Sequence, residues 1–282
     1  MFDLSDVTLC AADSANIGLT VRALRICLSQ CKFADAVLFT HEPPAADGFR
    51  TVAVNKFDRA GYQAFRTKPP PTVETPFALF IEWDGYVIEP RMWHPHFREY
   101  DYIGARWQIG AYGVSTNNVG NSGFCLQSKK LYDALADPRI TYVPDENVDF
   151  LVCGRYRPML EREFGIKFAP AAIADQFAFE TIMPTQPTFG FHGLGNMFRY
   201  LDDREMMDMI ERVDPYVLRT QQFIVLTLQY ALKAKFKMVE YLYGKMRERV
   251  PFEEALTLFR KSLAKPEFGQ ELFALCERLS HW

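Results

Sequence analysis

Two buried-strand patterns with one helical pattern between them open the chain and limit its fold more than any other feature. VTLCAA (7–12) and DAVLFTH (35–41) are apolar runs of strand length. Between them, SANIGLTVRALRICLSQC places Ile17, Val21, Leu24 and Leu28 at helical spacing, behind Ser14, a residue type suited to capping a helix start. Strand, helix and strand in succession predict a βαβ unit, with parallel strands joined by a right-handed crossover. A third run, PFALFIEWDGYVI (76–88), supplies another buried strand. HEPPAADG reads as a loop. The three prolines of RTKPPPTVET force an extended segment, because each disfavours helix at the residue before it.

The third run carries the first candidate chemistry. Glu82, Trp83 and Asp84 follow the apolar residues directly, and Gly85 then breaks the pattern. Continued as a strand, the chain would point Glu82 and Asp84 to one side and Trp83 to the other. Open α/β sheets bind ligands beyond the carboxyl ends of their strands, where these acids fall. Two carboxylates on one face repel unless a cation or a proton compensates, and hard divalent cations such as Mg²⁺ or Mn²⁺ take oxygen ligands of this kind. A solvated hairpin with two exposed acids is the alternative.

Composition narrows the partners. The 282 residues carry a net charge of −3, which gives no global attraction to nucleic acid and directs attention to small molecules. Cys10, Cys27, Cys31, Cys125, Cys153 and Cys276 lack CxxC spacing and mostly sit in apolar runs, so they read as reduced core thiols. MFDLSDVTLCAADS has no positive segment before its apolar run, and no apolar run reaches the ~18 residues of a spanning helix. The expected location is cytoplasmic.

Further along, VGNSGF (119–124) sets Gly120 and Gly123 around Asn121 and Ser122, a loop whose backbone can approach a ligand closely. A tight hairpin would use the same residues. FCLQSKKLYDAL then returns to strand and helix, and PDENVDFLVC (144–153) offers Asp145, Glu146 and Asp149 as acids. Asp13, directly after the first strand, is either a ligand-facing acid or a helix cap.

IEWDGYVIEPRMWHPHFREYDYIGARW (81–107) resembles the signature of a bacterial glycosyltransferase-like family, a domain of unknown function whose members read roughly IQWDGYVLNP…YDYIGAPW. NNVGNSGFCLQSKKLYDAL, RPMLEREFGIKFAP and FGFHG (189–193) match its later segments in the same order. The family is in turn similar to the GT-A superfamily of nucleotide-sugar transferases, including Fringe-like β-1,3-transferases. This resemblance implies a Rossmann-like mixed sheet flanked by helices and transfer of a sugar from a nucleotide-diphosphate donor to a glycan or lipid-linked acceptor, as in cell-surface polysaccharide or lipopolysaccharide synthesis. It implies that Asp84, with Glu82, whose position is often glutamine in relatives, and His192 hold Mn²⁺ or Mg²⁺. Asp13 and the 120–123 loop would contact the donor. Asp149 would fall on the aspartate of the EDV-like motif and act as the base of an inverting reaction. Val148 replaces that motif's glutamate, and Asp145 or Glu146 stands in reserve for Asp149. Two other readings stay open: a member that binds glycan or nucleotide sugar without catalysis, and a metal-dependent hydrolase.

After about residue 200 the pattern turns helical. Val225, Leu228, Leu232, Phe236, Val239, Tyr243, Met246 and Val250 form one apolar stripe, read as a single helix closing at Pro251. Residues 233–249 hold six basic and two acidic side chains. Such a helix either lies on an anionic membrane, here the inner face, or packs on its own domain with a solvated basic face. The expected organisation is a GT-A-like domain over 1–200 and a helical extension over 201–282.

Overall fold

A six-stranded mixed sheet forms the centre of the N-terminal part. The structure, a computed structural model, describes residues 1–45, 48–68, 72–108, 118–263 and 265–280. The proline run 69–71, expected to be extended, lies outside the described residues, as does Asn117 at the head of the 117–135 segment. The chain divides into two units, Met1–His192 and Gly193–Trp282.

In the first unit β1 (Phe2–Ala12), α1 (Ile17–Gln30) and β2 (Cys31–Thr40) realise the expected strand, helix and strand. The third apolar run becomes β4 (Phe77–Ile81), after the short β3 (Arg50–Ala53) and α2 (Arg59–Thr67). β5 (Tyr102–Gly104) and β6 (Phe124–Ser128) complete the order β3-β2-β1-β4-β6-β5. The first four strands in that order run parallel, and β6 pairs antiparallel with both β4 and β5. β1 from Val7 to Ala12 and β4 from Ala78 to Ile81 are buried, consistent with their continuous apolar runs. The chain winds outward from β1 to β3 and then returns to β4 on the other flank of β1. Ala11 pairs with Ile81, so the carboxyl ends of these two strands meet where the winding reverses, the position at which such sheets form a crevice.

Helix α3 (Lys129–Leu135) follows β6 and is capped by Ser128, whose Oγ accepts from the Leu131 N–H. Next come α4 (Val148–Phe150), which runs into a π-helical turn at Leu151–Arg155, then α5 (Arg157–Phe164) and α6 (Ala171–Phe177). A small parallel pair, β7 (Ala178–Phe179) and β8 (Gly190–Phe191), ends the unit. Phe97, Phe124, Phe177 and Phe189 pack their rings tightly beneath it.

Two local expectations are corrected. Ser14 does not cap α1: its Oγ accepts from the Phe57 N–H, while Asp13 Oδ1 takes the N–H groups of Ala15 and Asn16, each at 2.7 Å. The Asp13 carboxylate thus ties the turn that leads into α1 and accepts from the Thr20 hydroxyl in its first turn, while Asn16, which starts the helix, makes no side-chain cap. Nor does β4 continue through the acids. It stops at Ile81, and a turn closed by the Gly85 N–H on the Glu82 carbonyl at 3.1 Å carries residues 82–85. Strand alternation is therefore not what orients Glu82 and Asp84.

The second unit is helical. α7 (Leu194–Met197) precedes α8 (Asp203–Ile210), whose start is closed reciprocally by Asp202 and Glu205. The expected single stripe over 225–250 is broken into α9 (Gln221–Leu232) and α10 (Phe236–Arg247) by Ala234, whose φ of 55° lies in the left-handed region. Leu232 and Phe236, two residues of that stripe, are exposed at the break, and the stripe resumes in the core from Val239. α11 (Phe252–Ser262) and α12 (Pro266–Ser280) complete the unit around Tyr243, Phe259 and Phe273. Lys235 pairs with Asp203, and Lys245 with Glu211 and Glu248, so part of the basic face meets the unit's own acids. No described helix is long and apolar enough to cross a membrane. All six cysteines are free and buried, as expected.

Candidate metal centre

Three elements far apart in sequence bring their side chains to one point. The 82–85 turn supplies Glu82 and Asp84, the 120–123 loop supplies Asn121 and Ser122, and the residue after β8 is His192. His192 Nε2 lies 3.4 Å from Asp84 Oδ1 and 3.6 Å from Glu82 Oε2. One ligand atom from each of Glu82, Asp84 and His192 falls within 4.8 Å of the others, and among the described residues these three form the group suited to holding a metal ion. Two carboxylates and an imidazole suit a divalent cation such as Mn²⁺.

The approach depends on Gly123. A methyl group there would stand 2.1 Å from His192 Nε2, so any larger residue would push the imidazole off the acids. Gly120 plays the same part for Trp107, whose ring would lie 2.2 Å from an added Cβ. The glycines thus admit the protein's own rings close to the loop backbone.

Each member has its own support. The Glu82 carboxylate accepts from Tyr62 Oη at 2.6 Å and lies 3.7 Å from Arg66, which is itself buried over the Phe80 ring. Burial alone would raise the pKa of Glu82, but His192, Arg66 and Tyr62 outweigh it and hold it down to about 2. Burial likewise opposes charge on His192, yet Asp84, Glu180 and Glu82 drive its pKa well above the usual value. On the far side of the imidazole, Nδ1 faces Glu180 Oε1 at 3.2 Å and Asn121 Nδ2 at 2.9 Å.

Asp149 joins this group through the same loop. It accepts a hydrogen bond from Ser122 Oγ, and its pKa rises to about 6. Burial is the largest cause, the charges of Glu180 and Glu82 add to it, and the Ser122 bond and His192 oppose it. A carboxyl poised there can take or give a proton near neutral pH. Val148, which stands where the resembling motif has glutamate, is a core residue, 3% exposed, with its N–H donating to Gln63 Oε1 at 2.6 Å. That side chain faces the interior.

The acids held in reserve sit elsewhere. Asp145 occupies an exposed left-handed turn with a φ of 66°, and Glu146 is paired with Arg155. Both line a separate cleft with Arg59, Gln63, Tyr142 and Asn147. Asp13, at the end of β1, takes two backbone N–H groups and the Thr20 hydroxyl. Burial raises its pKa against those bonds, and the charge of Glu82 adds to the rise. Both acids stand at the crevice formed by β1 and β4.

Tyr62, Arg66 and Glu180 belong to the site and were not anticipated. Tyr62 and Arg66 are four residues apart on α2, a spacing that shares a helix face. Glu180 follows the apolar FAF as Glu82 follows ALFI, so an acid directly after a short buried strand was a usable signal.

Residues 54–192 match a family described as a protein of unknown function (DUF5672). That span contains every residue of the centre, and its description carries no activity. No curated protein matches the chain. Among solved structures, the galactosyltransferase LgtC in complex with donor and acceptor sugar analogs has 11% identity and a TM-score of 0.40, covering 66% of this chain and 86% of its own. The mannosyltransferase PcManGT from Pyrobaculum calidifontis, in complex with GDP-Man and Mn²⁺, has 7% identity and a TM-score of 0.44, covering 99% and 88%. At these levels neither likeness bears on the chemistry here, which has to come from this chain's own residues.

Proposed function

We propose that the protein is a divalent-cation-dependent glycosyltransferase that moves a sugar from a nucleoside-diphosphate donor to a hydroxyl of a glycan or lipid-linked acceptor. The observation that carries this reading is the meeting of Glu82, Asp84 and His192 in one ion-competent group, with a second carboxyl, Asp149, tuned to about 6 beside it. The motif resemblance over the same residues supplies the reaction class.

Glu82, Asp84 and His192 would hold Mn²⁺ or Mg²⁺. When bound, the cation supplies Lewis-acid stabilisation to the leaving diphosphate. Asp149, ionised above pH 6, accepts the acceptor hydroxyl's proton as its oxygen attacks the anomeric carbon. Ser122 keeps that carboxylate directed, and Asn121 and Glu180 hold the imidazole. A single displacement assisted by one carboxylate inverts the anomeric configuration, which the coupling constant of the product's anomeric proton reports. Val148 is packed in the core and brings no carboxylate, so a member that binds nucleotide sugar without catalysis stays the second reading, and turnover of a labelled donor separates the two.

Calorimetry with UDP and GDP, with and without Mn²⁺, tests the reading. Wild type binds at least one nucleotide in a Mn²⁺-dependent manner, and Asp84→Asn loses that dependence while keeping its thermal transition. Failure of both nucleotides to bind wild type, or equal Mn²⁺-dependent affinity in the variant, overturns it.

A further inference from the structure

Glu180 lies outside the ion-competent group yet contacts it from behind. We propose that Glu180 is the positioning residue that fixes the tautomer of His192, so that Nδ1 carries the proton and Nε2 offers its lone pair to a divalent cation. The inference rests on the metal site proposed above and goes beyond it, because it assigns a role to a side chain outside the three ion-competent residues.

Asn121 is held in one orientation by the loop backbone. Its Oδ1 accepts the N–H groups of Gly123 at 3.1 Å and Phe124 at 3.2 Å, which fixes the amide and turns Nδ2 towards Glu180 and His192. Nδ2 donates to Glu180 Oε2 at 2.9 Å. The same Nδ2 stands 2.9 Å from His192 Nδ1, so in the neutral ring, the form that can coordinate, two arrangements compete. If Nδ1 accepts from Asn121, the imidazole proton sits on Nε2, pointing at Glu82 and Asp84, and the ring cannot coordinate. If Nδ1 bears the proton, it donates to Glu180 Oε1 at 3.2 Å, and Nε2 is available.

Glu180 decides between them. An ionised carboxylate only accepts, so with one oxygen on Asn121 and the other against Nδ1 it favours two donors pointing inward. A ligating histidine held through its other nitrogen by a carboxylate is the arrangement that orients the ring and raises its basicity, and its loss costs about 10–100-fold in metal affinity. Asn121 then also acts on Glu180, so the loop expected to touch the donor braces the imidazole as well.

The full chain is titrated with Mn²⁺ alone, free ion being followed by electron paramagnetic resonance. Glu180→Gln preserves size but brings an amide donor that can face Nδ1 and favour the wrong tautomer. Its Mn²⁺ affinity falls about 10–100-fold, Glu180→Asp recovers part of the loss, and both keep the wild-type melting transition. With Zn²⁺ as a diamagnetic probe, ¹⁵N spectra of the five histidines show a protonated Nδ1 and a coordinated Nε2 for His192 in wild type. Unchanged Mn²⁺ affinity in Glu180→Gln, an unprotonated Nδ1 in the Zn²⁺ form, or no Mn²⁺ uptake by wild type overturns the assignment. Mn²⁺ uptake that depends on Glu180 in a protein that binds no nucleotide would sink the transferase reading and leave this one standing.

Discussion

Replacing Asp149 by asparagine should make the protein more stable and nearly inactive. Its carboxyl has a folded-state pKa of about 6 against 3.8 for the free group. A folded pKa above the unfolded one means that the native state holds the proton more tightly. The stabilisation this gives is present below about pH 4 and is lost as pH rises through 6. A gap of about two pK units is about 3 kcal/mol, and because Asp149 keeps partial solvent access, screening reduces this to about 1–3 kcal/mol. Asparagine stays neutral and can still accept from Ser122, so it avoids the penalty. Urea melts of the metal-free chain at pH 4.5, 6 and 8 measure this, read by the fluorescence of Trp83, Trp93 and Trp107, three of the four tryptophans and all in the first unit. The variant's advantage over wild type should be small at the lowest pH, grow to pH 6 and then level. For the transfer activity proposed above, the same change should lower sugar transfer by at least ~100-fold with donor affinity nearly intact, and the wild-type rate should rise with pH through the region of this carboxyl. A variant less stable than wild type at pH 8, or one that turns over within tenfold of it, refutes the reasoning.

Gly123→Ala should cost about 1–3 kcal/mol in a thermal melt, because its methyl would meet His192 Nε2 at 2.1 Å and the ring must move. The same variant loses Mn²⁺ binding in the paramagnetic titration, whereas a harmless methyl would change neither. Arg66→Ala removes a buried guanidinium that serves Tyr62, the Ser122 carbonyl and Glu82, so stability falls by about 3–5 kcal/mol. A denaturation midpoint within error of wild type would show that the network is dispensable.

Much of the sheet was legible because β1 from Val7, β2 from Ala36 and β4 from Ala78 are buried on both faces and therefore read as unbroken apolar runs. The acid pair was legible as a strand-end feature, but its orientation was not, since a turn closed by one backbone hydrogen bond replaced the last residues of an apparent strand. In the tail, the periodicity of α9 and α10 ran in phase across Ala234, and hydrophobic spacing carries no trace of a single left-handed residue. Tyr62, Arg66 and Glu180 were hidden for another reason. Each acts through a partner distant in sequence, and the Glu180 contact to His192 exists only once β7 and β8 pair.

The opposite shifts of Glu82 and Asp149 follow from one arrangement and suit the two carboxyls to the different roles proposed for them. Both are carboxyls, and their charges repel across the centre, which appears as a rise in the pKa of Asp149 caused in part by Glu82. Glu82 has Tyr62, Arg66 and the imidazolium edge of His192 to hold its charge, so it stays ionised far below neutrality and is prepared to coordinate. For Asp149 the Ser122 hydroxyl and the His192 charge do not offset burial and the charges of Glu180 and Glu82, so its proton leaves only near pH 6. Carboxyls whose surroundings push their pKa values apart take different roles, a permanent anion on one side and an exchangeable proton on the other. Asn121 and Ser122, adjacent in the loop, tie the two together: the first braces the imidazole that steadies Glu82, and the second holds Asp149. A change that shifts this loop should move both pKa values at once, Glu82 upwards as His192 withdraws and Asp149 upwards as its hydroxyl donor is lost.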